Sequence, residues 1–62
     1  RYRSNYLLAD LYLLLGNASA SFGNIDEIRD YYTKAKFLYN LDGNQEMSLK
    51  VEHYIAENLM SN

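Results

Sequence analysis

The sequence predicts an all-α fold, an antiparallel helix–turn–helix hairpin followed by a third helix. The 62 residues include no proline and only three glycines, so little in the chain interrupts a helix. Apolar residues recur at intervals of three and four in three segments, which is the spacing of one helix face. The pairs Gly23-Asn24 and Gly43-Asn44 separate these segments. Glycine suits the left-handed position after one helix, and asparagine suits the cap of the next.

The first predicted helix covers about residues 4–22, with Ser4 or Asn5 as its cap. Two neighbouring apolar stripes make it apolar over most of its circumference, so we expect more than one neighbour to cover it. Gly16 costs about 1 kcal/mol relative to alanine in a helix, which predicts a close approach of Tyr32 or Ala35. The two stripes are Leu7, Leu11, Leu14, Leu15, Ala18 and Phe22, and Leu8, Tyr12, Leu15 and Ser19.

The second predicted helix covers about residues 25–41. Asn24 is its expected cap, and Glu27 is placed to complete a capping box by reaching back to the Asn24 amide. The acidic pair Asp26 and Glu27 also lies at the positive end of the helix dipole. Its expected buried stripe consists of Ile25, Ile28, Tyr32, Ala35 and Tyr39.

The third predicted helix covers about residues 45–60 and follows an Asn44 cap. Its apolar stripe is narrower than that of the first helix, which is typical of a helix at the end of an array. The stripe consists of Met47, Val51, Tyr54, Ile55 and Leu59, and the mostly opposite polar residues are Lys50, Glu52, Glu57 and Asn58.

Length and composition indicate one small helical unit spanning residues 1–62. A chain of this size buries only roughly 60% of its unfolded surface, so an isolated monomer is expected to be marginally stable. The chain opens with Arg1-Tyr2-Arg3 and lacks an initiator methionine, so we expect a fragment of a longer protein. The absence of cysteine excludes disulfides and thiolate metal sites within these residues, in keeping with a cytoplasmic protein.

Charge and hydropathy argue against nucleic-acid and membrane partners for this segment. The net charge is −2, and the basic residues alternate with acidic ones rather than forming a stripe. The longest apolar run, at residues 11–15, is far shorter than the ~20 residues of a membrane-spanning helix. The tyrosines fall on helix faces that must pack, which favours core aromatics over base-stacking residues.

No residue pattern predicts catalysis, a metal site or a cofactor. The single histidine, His53, has no companion at metal-ligand spacing, and its i,i+4 neighbour Glu57 indicates a solvated pair. The carboxylates Asp26 and Asp30 lie in the opening turns of a helix, where the dipole favours them. No nucleophile elbow and no phosphate-binding loop occurs. We therefore predict a protein without enzymatic activity.

Residues 9–42 resemble one tetratricopeptide repeat. Two positions depart from the family pattern, because Ile28 replaces the usual alanine and Asn40 replaces the usual closing proline. The second helix can therefore run on to Asp42-Gly43. The positions that carry the resemblance are Tyr12, Leu15-Gly16 and Ser19, the turn Gly23-Asn24, the acidic pair Asp26-Glu27, and Tyr32 and Ala35. The expected structural core is Tyr12, Leu15, Gly16, Ile28, Tyr32 and Ala35.

The resemblance implies a right-handed stack of antiparallel helix pairs and a non-catalytic scaffold that binds a protein or peptide. In peptide-binding members of the family, an asparagine at the place of Asn17 holds the ligand's main chain; the alternative is an ordinary solvated asparagine. Leu13 stands where charge-clamp members carry a lysine, which argues against recognition of a C-terminal carboxylate. The groove candidates are Asp10, Leu13, Asn17, Ala20 and Ser21.

Three alternatives remain open at the level of sequence. The Lys-Ala-Lys-x-Leu string at residues 34–38 is similar to repeats in the peptide-pheromone receptors of Gram-positive bacteria, which implies part of a peptide-sensing transcriptional regulator. A helical oligomerisation module would use the first helix as its self-interface. A fragment of an enzyme would have its active site elsewhere in the parent protein. The residues of the possible self-interface are Leu7, Leu8, Leu11 and Leu14.

Overall fold

A computed structural model describes residues 4–60 of the chain and the side chains of residues 7–59. It contains three α-helices, α1 (Ser4–Phe22), α2 (Ile25–Leu41) and α3 (Gln45–Ile55). A π-helical turn, Ala56–Met60, continues α3. No strand occurs within the described residues. The predicted all-α hairpin with a third helix is confirmed, and the only difference in the helix ranges is the π-helical end.

Two residues, Gly23 and Asn24, connect α1 to α2. Gly23 has a φ of +75°, so it occupies the left-handed position for which glycine is suited. The side-chain oxygen of Asn24 accepts a hydrogen bond from the Glu27 amide at 3.3 Å, which confirms the predicted cap. The return bond from the Asn24 amide to the Glu27 carboxylate is absent among the described hydrogen bonds, so only half of the capping box forms.

The connection between α2 and α3 is built in the same way. Gly43 has a φ of +73°, and the Asn44 side chain accepts a hydrogen bond from the Met47 amide at 3.1 Å. Asp42 lies at the carboxyl end of α2, where its own amide donates to α2 carbonyls, including that of Leu38. Both turns therefore satisfy helix-terminal groups locally, which explains how connections this short reverse the chain.

Replacing the cap Asn24 with alanine is expected to lower the free energy of unfolding by about 1 kcal/mol, because the Glu27 amide loses its acceptor. Asn40→Ala is the matched control, since Asn40 is an exposed asparagine inside α2. Urea titrations followed by circular dichroism at 222 nm measure both effects. Equal midpoints for Asn24→Ala and Asn40→Ala would show that the cap contributes nothing.

The helices α1 and α2 run antiparallel, since Asp10 bonds to Tyr39 and Asn17 bonds to Tyr32. Their shared core contains small residues from α1 and large residues from α2. Of the expected core, Tyr12 and Leu15 are only half-buried, and the other four positions are buried. The fully or almost fully buried residues are Ala9, Gly16, Ser19, Ile28, Tyr32, Ala35, Tyr39, Ser48 and Val51.

Gly16 permits the close approach of α1 and α2. A Cβ atom added at Gly16 would lie 2.6 Å from two carbons of the Tyr32 ring, well inside van der Waals contact. Because Tyr32 is itself fully buried, the ring has no free space into which it can move easily. The expected contact of Gly16 with the second helix is confirmed, and Tyr32 is the residue that makes it.

The third helix packs mainly against α2. The Tyr54 ring stacks on the Tyr32 ring with centroids 5.9 Å apart and planes 15° apart. The Lys36 ammonium forms an ion pair with the Glu52 carboxylate at 2.7 Å. Val51 is fully buried, which contributes about 1.5 kcal/mol or more of hydrophobic stabilisation. The predicted stripe of α3 does face the core, because its other four members are half-buried.

Candidate binding surfaces

The groove candidates of α1 have two different environments in the structure. Asp10 and Asn17 are exposed residues whose side chains bond to tyrosines of α2. Leu13 and Ala20 are half-buried and pack against the core. Ser21 is exposed. The side of α1 that carries these residues is therefore polar at three positions, and its two apolar positions contribute to the fold.

Asn17 belongs to a hydrogen-bond network that joins α1, α2 and the π-helical turn. The Tyr32 hydroxyl donates to Asn17 Oδ1 at 2.5 Å. The Asn58 side-chain amide donates to the Tyr32 hydroxyl at 3.4 Å and to the Tyr54 carbonyl at 2.9 Å. Both amides therefore lie within hydrogen-bond distance of one oxygen and are neighbours on the surface.

The orientation of these two amides determines what they can offer to a ligand. Asn17 uses its oxygen to accept from Tyr32, and its two N–H groups make no hydrogen bond among the described residues. Asn58 uses its nitrogen, which leaves its oxygen as an acceptor. The pair thus presents donors from one side chain and an acceptor from the other.

Asn58 is the residue of this surface that the sequence analysis missed. It was expected mostly opposite the apolar stripe of α3, and its bond to Tyr32 shows that this expectation is wrong. Asn58 follows Tyr54 by four residues and Val51 by seven, so the helical period already placed it beside the stripe. The π-helical turn at Ala56–Met60 carries this side chain, and such turns often occur at functional sites.

A second pair links α1 and α2 nearer the start of α1. The buried Tyr39 hydroxyl donates a hydrogen bond to the Asp10 carboxylate. Burial raises the pKa of Tyr39 far above its usual value of 10.0, and the bond to Asp10 raises it further. Burial likewise raises the pKa of Tyr32, with smaller contributions from Tyr54 and Glu57. Both tyrosines are thus held in their protonated form.

These raised pKa values predict that alkaline conditions destabilise the fold. Above pH 10 an unfolded tyrosine loses its proton while Tyr39 in the folded chain keeps it, so the folded state binds more protons and stability falls as pH rises. We expect the free energy of unfolding to be steady below about pH 9 and to fall progressively as the pH rises above 10, the usual pKa of tyrosine. Tyr39→Phe is expected to flatten this fall, and urea titrations across the range measure it. A slope unchanged from that of the parent chain would contradict the prediction.

An apolar groove of about 370 Å³ lies between α1 and α2. No residue of α3 lines it. The Lys34 ammonium lies 5.8 Å from the centre of the Tyr12 ring and forms a 2.8 Å ion pair with Asp30. This bond to Asp30 raises the pKa of Lys34. The groove is lined by Leu8, Tyr12, Thr33, Lys34, Phe37 and Leu38.

The leucines on the outer side of α1 are largely uncovered. Leu7, Leu11 and Leu14 are 68%, 49% and 65% exposed. The small residues Ala9 and Gly16 face the core instead. Neither α2 nor α3 therefore supplies the second neighbour that the sequence predicts for α1.

Most of the remaining charged and titratable side chains lie in exposed pairs on the surface. His53 lies 3.5 Å from the Glu57 carboxylate, and both side chains are exposed, as predicted for a solvated pair. Asp26 pairs with Arg29 at 3.9 Å. One oxygen of the Asp42 carboxylate is buried and accepts no hydrogen bond within the described residues. The described part of the chain contains no group of three His, Cys, Asp or Glu side chains arranged to hold a metal ion.

No protein-family model, no curated protein and no solved structure matches this chain. The resemblance to a tetratricopeptide repeat therefore rests on the residues of the chain itself. Within the described part of the chain, none of the helices has the length and apolar character needed to span a membrane.

Proposed function

We propose that this helical unit is a cytoplasmic, non-catalytic scaffold of tetratricopeptide type that binds a protein or peptide on the Asn17 side of α1. The observation that carries the proposal is the hydrogen bond from Tyr32 to Asn17, because it orients an exposed amide and leaves its N–H groups for a ligand. Of the two departures from the family pattern, Ile28 is buried in the core and Asn40 is exposed on α2.

An extended peptide offers the complementary groups. Its main-chain carbonyls would accept from the Asn17 amide, and its N–H groups would donate to the Asn58 oxygen. Leu13 provides apolar surface beside these amides rather than the positive charge that a terminal carboxylate requires. We therefore expect an internal peptide segment as the ligand, so that peptides with amidated and free C-termini bind equally well.

The decisive variant is Asn17→Asp, because aspartate keeps the acceptor for Tyr32 and removes the N–H donors. Random heptapeptides displayed on phage are selected on the wild-type chain, and enriched sequences are synthesised with blocked ends. Isothermal titration calorimetry is expected to show about tenfold weaker binding to Asn17→Asp, the effect of one lost hydrogen bond. Asn40→Asp, which makes the same chemical change at an exposed position of α2 outside the groove candidates, is the control.

A lack of enriched peptides would contradict peptide binding, and equal affinities for Asn17→Asp and the wild-type chain would exclude Asn17 from the site.

The likeness of residues 34–38 to peptide-pheromone receptors supports short peptides as the first ligands to test, with the parent protein acting as a peptide-sensing regulator.

A second candidate function is oligomerisation through α1. The observation that favours it is the exposure of Leu7, Leu11 and Leu14 on a helix whose other side forms the core. Contiguous apolar patches larger than a few hundred Å² often mark interaction sites. Sedimentation equilibrium at micromolar concentrations tests this function, and a monomer with a cooperative melt would contradict it.

A further inference from the structure

The outer face of α1 carries a regular apolar stripe, defined here as Leu7, Leu11, Leu14 and Ala18. All four residues are exposed, and their spacing of four, three and four is that of a helix-pairing seam. The core residues Ala9 and Gly16 lie on the other side of the same helix. The stripe is therefore turned away from α2 and available to another molecule.

Charge and shape favour a second copy of this chain as the partner. Asp10 is the only charged residue of α1, and Tyr39 already binds it, so the stripe offers no charge with which to select a charged partner. In an antiparallel pair of α1 helices, Leu7 lies opposite Ala18 and Leu11 opposite Leu14. Each large residue at the ends then meets a small one, and the two helix dipoles oppose each other favourably.

The available area is sufficient for a weak dimer. A helix of 19 residues is about 28 Å long, and its stripe of three largely exposed leucines and Ala18 offers on the order of 300–400 Å² of apolar surface per copy. Stable interfaces bury about 800 Å² per partner, and weaker ones less. The stripe is thus comparable in size to the largest apolar patch of a typical monomer, about 300–600 Å², and smaller than a stable interface, so we expect weak pairing.

We propose that two copies of this chain pair through antiparallel α1 helices, with the stripe as the interface. This inference rests on the oligomerisation function proposed above and names its partner and its contact. Asn17 is not one of the stripe residues, although it follows Leu14 by three positions and so borders the stripe.

Leu14→Glu and Leu49→Glu form a matched pair of variants for the test. Leu14 is 65% exposed and Leu49 of α3 is 64% exposed, so the two substitutions perturb the monomer similarly. Sedimentation equilibrium is expected to give a micromolar dimer for the wild-type chain and for Leu49→Glu, and about 30-fold weaker association for Leu14→Glu.

The possible results distinguish a failure of the proposed α1 interface from a failure of the oligomerisation function. A monomeric wild-type chain overturns both the oligomerisation function and this inference. A dimer that Leu14→Glu leaves intact and Phe37→Glu dissociates overturns the inference alone, because it places the contact in the groove between α1 and α2. Unfolding of Leu14→Glu by circular dichroism also overturns it, since an interface residue on the outer face is not needed by the monomer fold.

Disulfide trapping tests the antiparallel orientation, because the chain has no native cysteine. Leu7→Cys and Ala18→Cys are oxidised separately and as a mixture. Two copies of position 7 lie about 16 Å apart along an antiparallel pair, too far for a disulfide. We expect covalent dimers only in the mixture. Disulfides within either single variant would show a parallel pair and overturn the orientation, and none in any sample would overturn the α1 contact.

Discussion

Replacing Tyr32 with alanine is expected to lower the free energy of unfolding by about 3–5 kcal/mol, which is enough to unfold most of a domain of this size. Tyr32 is fully buried and touches every other element of the fold. Its ring lies against Gly16 and stacks on Tyr54, and its hydroxyl bonds to Asn17 and Asn58. The loss of this one side chain therefore opens a cavity where all the helices meet.

A second substitution at Tyr32 and a control at Tyr31 separate the contribution of the Tyr32 hydroxyl to stability from that of its ring. Tyr32→Phe keeps the ring and removes the hydroxyl, so it is expected to cost about 1–2 kcal/mol through the lost hydrogen bonds. Tyr31→Ala is the control for aromatic loss at a half-buried neighbouring position. Urea titrations at pH 7 measure the series. If Tyr31→Ala were as destabilising as Tyr32→Ala, the central position of Tyr32 would be refuted.

Gly16→Leu is expected to destabilise the fold by about 1–3 kcal/mol through overpacking, although leucine is the better helix former. Even the alanine side chain would begin 2.6 Å from the Tyr32 ring. The thermal midpoint followed by circular dichroism measures the loss. An unchanged midpoint would show that this side of α1 is free of α2.

If the Tyr32 ring is what restricts position 16, the effect of Gly16→Ala on stability should change sign when that ring is removed. In the Tyr32→Leu background the ring is gone, so Gly16→Ala should stabilise the helix by up to about 1 kcal/mol rather than destabilise it. The same substitution is expected to destabilise the parent chain. A loss of equal size in both backgrounds would mean that some other group restricts position 16.

The helices and their caps were predictable because each depends on residues close together in the sequence, and the Gly16 contact because a glycine inside a helix indicates a close neighbour. Gly23 and Gly43 mark the two turns, and Asn24 and Asn44 cap the helices that follow. The helical period of α2 also identified Ile28, Tyr32, Ala35 and Tyr39 as buried, although Ile25, the first member of its stripe, proved half-exposed.

The side of α1 that faces the core was not predictable from hydrophobicity. Leucines are the most apolar residues of α1, yet Ala9, Gly16 and Ser19 are buried and Leu7 and Leu14 are exposed. Small residues occupy this side because the bulky tyrosines of α2 fill the space between the two helices. A scale that assigns a hydrophobicity to each residue separately carries no information about this packing. Which side of α1 faces the core therefore depends on the side chains of α2.

The candidate site was predictable in position and not in its internal bonds. The helical period placed Asp10 and Asn17 on one side of α1, but their bonds to Tyr39 and Tyr32 span 29 and 15 residues. Asn58 joins the site across 26 residues from Tyr32. Pairings over such distances depend on how the helices cross, and a single sequence does not specify this. The ligand groove itself stays a prediction.

The two short connections also determine how fast this chain can fold. Every helix docks on the one beside it in sequence, so the loops to be closed are short and folding is expected within microseconds to milliseconds. The chain has no proline, so peptide-bond isomerisation supplies no slow step. Temperature-jump relaxation of dilute protein should therefore follow a single exponential. A second phase that accelerates with protein concentration would report the meeting of two chains.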